Sequence, residues 1–159
     1  MQQQYDGLRS FLAECEKHGE VQVIRDADWN LEIGALTETV SELIDEPPAL
    51  MFDEIKGYPK GFRVLSIPTA SRVRMCLALG LPPDTPRMEI VKYAANRIKH
   101  AKPIPPKEVE TGPVMQNVMR DNEVDLFRFP VLKSHRGDGG RYIGTGDTFI
   151  NRDPETGYV

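Results

Sequence analysis

Hydrophobic and polar positions alternate through the first hundred residues with two different periods, which predicts helices interleaved with short strands. Leu8, Phe11, Leu12 and Cys15 fall on one helical face, with Asp6 placed to cap its start and His18-Gly19 to end it. Val21, Val23 and Ile24 form a short strand, and residues 26–30 a turn whose Asn30 can cap the next helix. That helix covers about 31–44, with Ile33, Leu36, Val40, Leu43 and Ile44 at helical spacing, until Pro47-Pro48 forbids more. The run Ala49-Leu50-Met51-Phe52 reads as a buried strand with Ile55 trailing, and residues 63–67 as a second strand after a glycine-proline turn. A helix over about 70–79 closed by Gly80 follows, then another over 87–100 with Met88, Ile90, Val91, Ala94 and Ile98 as its apolar set. The fold class is therefore α/β (α+β), with helices packed against a small sheet.

The pattern changes at residues 102–107, where Pro103, Pro105 and Pro106 favour an extended, semi-rigid connector. Three regions result: an N-terminal α/β domain over 1–102, a proline-rich connector over 103–112, and a β-like region over 113–159. In the last region residues 113–118 read as a strand, and Leu126, Phe127 and Phe129 as an apolar turn. Residues 135–159 hold six of the chain's thirteen glycines. Turn signals at Asp138-Gly139-Gly140 and at residues 153–157 bracket residues 142–150, which read as one strand of a hairpin. Its partner begins near Tyr158, so the chain reads as the front part of something longer.

Composition changes this picture little. The 159 residues are 40% hydrophobic and 28% charged, as in ordinary globular chains. A net charge of −4 argues against general affinity for nucleic acid or an anionic membrane. Arg97, Lys99, His100 and Lys102 cluster where cations complement a helix C-terminus, and that reading suffices for them. No apolar run reaches membrane-spanning length and no signal-peptide pattern opens the chain, so a cytoplasmic location is expected. Cys15 and Cys76 sit in apolar helical patterns without partners at ligand spacing, and are read as buried free thiols.

Candidate chemistry is sparse. The glycines match neither a dinucleotide-binding fingerprint nor a Walker loop, and a turn or tightly packed β edge accounts for them. Gly144-Thr145-Gly146 would let a flat ligand approach the backbone while Thr145 supplies a hydrogen bond; a barrel-corner strand is the plainer alternative. Glu32, Glu38 and Glu42 read as a solvated helix face. His135 and Asp138 could pair, although a glycine-rich surface loop with incidental charges is the preferred account. No serine or cysteine nucleophile can be matched to a histidine.

Several stretches in order nonetheless resemble the UbiD family of reversible carboxy-lyases: LRSFLAECEKHGEVQVI, LEIGALTETV, PALMFDEIKGYPKGFRVL, LALGL and FRFPVLKSHRGDGGRYIGTGDTFINRDPETGYV. The likeness covers nearly the whole chain. It implies an N-terminal α/β domain followed by the first strands of a split β-barrel, resembling flavin reductases, that binds prenylated FMN. It also implies decarboxylation of aromatic or α,β-unsaturated carboxylic acids to product and CO₂, the modified flavin forming a covalent adduct and acting as electron sink. Mn²⁺ and K⁺ accompany the cofactor in the family, a flavin prenyltransferase supplies it, and the full-length protein is expected to be a homo-oligomer. Carried onto this sequence, Thr145 falls where relatives line the flavin pocket, and Tyr158 where a backbone carbonyl can face K⁺. The resemblance assigns no catalytic residue to these 159 positions, since the family's Arg and Glu residues lie beyond them. The chain alone is thus expected to be inactive. The rival readings are an interaction or oligomerisation module using an exposed strand edge, and a free-standing small flavin or phosphate binder.

Overall fold

The computed structural model describes residues 5–144 and 150–158. Its centre is a three-stranded sheet of β1 (Val21–Arg25), β2 (Ala49–Asp53) and β3 (Val64–Ser66), in that order. β1 and β2 are parallel, with Val23 opposite Met51, and β2 and β3 antiparallel, with Met51 opposite Leu65. β2 is central and covered on both faces, so it appears as an unbroken apolar run. Its side chains alternate: Met51 packs with Phe11, Leu12, Cys15 and Leu77, while Leu50 and Phe52 pack with Ala27, Ile33 and Ile55 on the other side.

The helices are α1 (Leu8–Lys17), α2 (Glu32–Leu43), α3 (Arg72–Leu79) and α4 (Arg87–His100). α1 and α3 cover the Met51 face, and α2, the β1-to-β2 crossover, covers the Phe52 face. Ser71 caps α3 by accepting from the Arg74 amide at 3.2 Å, and Gly80 ends it at φ +71°. Cys15 and Cys76 are buried free thiols, as expected.

Several local expectations are corrected. α1 is capped by Gly7 rather than Asp6, because Gly7 and Ser10 exchange hydrogen bonds. α2 is capped by Leu31 rather than Asn30, whose amide donates instead to Asp28 Oδ1 at 2.8 Å. Along α4 only Ile90 is buried, while Met88, Val91 and Ile98 are exposed. Residues 113–118 hold no strand; Pro113–Met115 is a 3₁₀ turn, its fixed proline φ suiting the first position, with Met115 N–H donating to Gly112 O at 2.9 Å. Asp121–Glu123 and Leu126–Arg128 are further 3₁₀ turns.

Of the expected strand at 142–150, Tyr142 makes an isolated antiparallel bridge with Leu132 and Ile150 is exposed outside any strand; residues 145–149 lie outside those described. The second turn forms as anticipated. Asp153 Oδ1 accepts from the Glu155 and Thr156 amides, and Gly157, at φ +72°, donates to Asp153 O. Among the described residues no helix is long and apolar enough to cross a membrane.

Candidate functional site

Residues 130–144 return to the α2 face of the sheet and form a seam with it. Lys133 bridges Asn30: its carbonyl accepts from Leu31 N–H at 2.8 Å, and its own N–H donates to Trp29 O at 3.2 Å. Leu31 holds φ +72° to do so, a region that costs a non-glycine residue on the order of 1–2 kcal/mol. Leu132 packs against the Phe52 cluster beside it. Gly34, buried in the first turn of α2, faces Ser134 so closely that a Cβ would sit 2.5 Å from the Ser134 carbonyl oxygen. The absence of a side chain at 34 is what permits the two backbones to meet.

Arg141 closes the same seam. Its guanidinium lies 3.9 Å from the Trp29 ring centroid and 5.1 Å from that of Phe127. Nε donates to Val131 O at 2.7 Å, and Nη2 donates to the Tyr58 hydroxyl. Stacking of this kind contributes about 0.5–2 kcal/mol, more where water is excluded. Phe62 meets Phe129 edge-on at 6.2 Å and continues the aromatic contact between the two regions.

His135 completes the seam at its exposed end. Its Nε2 bonds the Glu38 carboxylate of α2, and its Nδ1 lies 3.5 Å from Asp138 Oδ1. Asp138 Oδ2 accepts from the Ser134 and His135 amides at 3.1 and 2.9 Å, which ties the loop upon itself. The bond to Glu38 holds the His135 imidazole above its ordinary pKa, and Asp138 adds to this. The His135 amide bond holds the Asp138 carboxyl below its ordinary value. A raised histidine stabilises docking fully below its unfolded pKa of about 6.5 and loses that contribution as pH rises through the folded value. A depressed aspartate contributes above its unfolded pKa of about 3.9 and fails as pH falls through the folded one. Loop docking should therefore be tightest between about pH 4 and 6.5 and loosen above. An NMR titration checks this: Glu38→Gln should return the His135 midpoint towards the ordinary value, and an unmoved midpoint would refute the contact.

Beside the seam a cleft of about 660 Å³ opens between β3 and residues 130–144, walled by Val64, Leu65, Pro130, Leu132, His135 and Gly144 among others. Of the sequence-predicted site residues, Thr145 lies outside the described residues, one position past Gly144 at the cleft edge. Tyr158 is exposed, and its carbonyl accepts from Asp153 N–H at 2.8 Å, which leaves its second lone pair available. The structure does not bring Tyr158 to the cleft lining. Sequence reasoning missed Gly34, Arg141 and Trp29; the one signal on offer was a glycine within a helical pattern, which often marks a close approach.

Comparison with known proteins decides the family. The model of the 3-octaprenyl-4-hydroxybenzoate carboxy-lyase N-terminal domain matches residues 12–94, over half the chain. The same family's Rift-related domain model matches residues 107–159. The chain belongs to the UbiD family. Pyrrole-2-carboxylic acid decarboxylase of Pseudomonas aeruginosa is 37% identical over 156 residues, covering 93% of this UbiD-family chain and 31% of that relative. The closed form of Sedimentibacter hydroxybenzoicus vanillic acid decarboxylase superposes with a TM-score of 0.75 at 29% identity, covering 87% of this chain and 29% of that one. An evolved dimeric form of the UbiD-class enzyme HmfF from Pelotomaculum thermopropionicum, in complex with prFMN, gives 0.69 at 29% identity, over 94% and 33%. The chain thus spans about a third of the length of the curated relatives it matches.

Whether the UbiD-family cofactor fits these residues can be tested on their donor sets. Among the described residues no three His, Cys, Asp or Glu side chains converge on a metal-sized point. No buried side-chain polar atom among them lacks a partner, so none is left waiting for a phosphate. The described part of this UbiD-family chain walls a cleft, without a cradle for Mn²⁺ or a flavin phosphate of its own.

Proposed function

We propose that this chain forms the N-terminal α/β domain (1–102), connector (103–112) and opening of the flavin-binding split barrel (113–159) of a reversible decarboxylase. The substrates are aromatic or α,β-unsaturated carboxylic acids, released as CO₂ and the decarboxylated product, with prenylated FMN as cofactor. The seam between α2 and residues 131–141 carries the reading, because it fastens the glycine-rich stretch to the N-terminal sheet beside an open cleft. In this reading Thr145 lines the flavin pocket and the Tyr158 carbonyl faces K⁺, while Mn²⁺ and the proton-transferring groups are held by polypeptide outside these 159 residues. A flavin prenyltransferase supplies the cofactor, the working protein is a homo-oligomer, and it acts in the cytoplasm.

The test uses the protein expressed from its own gene, tagged ahead of Met1, in cells that also make a flavin prenyltransferase. Flavin absorbance, prenylated FMN by mass spectrometry and CO₂ release from a panel of aryl and acrylic acids are expected. A folded, colourless protein that releases CO₂ from none of them would overturn the proposal. The 159-residue chain alone, given cofactor and Mn²⁺, should show no turnover.

A further inference from the structure

We propose that Arg141 is a positioning residue: through its guanidinium the N-terminal domain sets the direction in which Tyr142, Ile143 and Gly144 enter the cleft. This rests on the decarboxylase reading above. Arg141 is not among the residues that line the cleft, nor are Trp29 and Tyr58; of its partners only Val131 reaches the lining. Trp29 holds the guanidinium 3.9 Å from its ring centroid, and the bonds to Val131 O and the Tyr58 hydroxyl aim it in two further directions. A planar group held at three points leaves its own backbone little freedom. A lysine would keep the charge and lose the plane.

The lever that follows is short. Tyr142 N–H donates to Leu132 O at 3.0 Å one residue after Arg141, and Gly144 reaches the cleft lining two residues later. Three residues span at most roughly 10 Å, so a tilt of about 6° at the Arg141 end displaces the far end by up to about 1 Å. An error of that size in a reacting geometry can cost up to about a hundredfold in rate. Trp29 and Tyr58 thereby act on the reaction from the N-terminal domain without approaching the substrate.

The experiment combines two readouts on Arg141→Lys, with Tyr58→Phe as a milder variant. Amide hydrogen exchange on the chain should show Tyr142 exchanging about tenfold faster in Arg141→Lys, with Leu50 and Phe52 of β2 unchanged as proof of folding. In the flavin-loaded protein kcat should fall about tenfold while KM stays within twofold and flavin content is unaltered; Tyr58→Phe should shift both in the same direction by less. Unchanged exchange at Tyr142 would overturn the positioning role. Faster exchange with an unchanged kcat would overturn it as well, reducing Arg141 to a staple. A parent protein without decarboxylase activity would instead sink the functional reading and this role with it, the exchange data still telling the two failures apart.

Discussion

Arg74→Ala should remove about 3–5 kcal/mol of folding stability, the cost typical of breaking a buried ion pair from one side. Arg74 is fully buried, yet all its donors find acceptors. Nη1 donates to Glu20 Oε2 at 2.7 Å and Glu20 O at 3.2 Å, Nη2 to Pro47 O at 2.7 Å and Ile67 O at 3.2 Å, and Nε to Pro68 O at 2.9 Å. Those acceptors sit where β1 begins, where β2 begins and where β3 ends, so one side chain gathers the same end of all three strands. Alanine would leave Pro47 O and Pro68 O without a donor, and each unsatisfied buried group costs about 1–3 kcal/mol. Glu20 O, Ile67 O and the Glu20 carboxylate would keep only the Ala49 and Ala70 amides and the Ser71 hydroxyl. Lysine reaches too few of them and should recover less than half of the loss. Urea denaturation followed by far-UV circular dichroism measures it. An Arg74→Ala midpoint equivalent to less than about 1 kcal/mol from the parent would show that water replaces the guanidinium without penalty.

Gly34→Ala should separate two properties that usually move together. Alanine is the better helix former by about 1 kcal/mol, so α2 and the sheet it covers should be as stable as before or slightly more so. The new methyl, however, would lie 2.5 Å from Ser134 O and 2.7 Å from its Cα, backbone atoms that cannot swing aside. Residues 131–134 must retreat, and the amides of Leu31, Lys133 and Tyr142 lose their partners together. Hydrogen exchange at these three should accelerate at least tenfold while β2 stays protected, and, on the proposed decarboxylase reading, turnover should fall by up to about a hundredfold. Retained protection at Lys133 and Tyr142 would mean that the seam tolerates a side chain, against the geometry.

The contrast between these residues and the correctly read elements has a physical basis. The sheet-facing stripe of α2, the apolar run of β2 and the glycine stops at 19 and 80 are local signals, each decided within a few residues. α4 shows the limit of periodicity: Met88, Val91 and Ile98 mark an apolar face, and spacing does not say whether anything covers it. Arg74 is chemically a surface residue, and its burial follows only from three chain turns meeting around it. Arg141 and Trp29 lie more than a hundred positions apart, and Glu38 and His135 nearly as far, so their pairing is a property of the fold. Pro113-Val114-Met115 is apolar and short, a pattern that a strand and a 3₁₀ turn share. The family resemblance supplied what none of these could, because it compares whole ordered patterns rather than neighbours.

The proline-bearing connector near residues 103–106 is exposed and devoid of regular structure, which makes it the obvious crossover point for recombining this chain with a relative. The fit of Gly34 to Ser134 warns against that choice. A hybrid joined there would mate a helix surface from one parent with a loop from another, and even a single methyl of mismatch would pry them apart. Productive shuffling should carry residues 29–38 and 131–141 as one inherited block, whatever is exchanged around them.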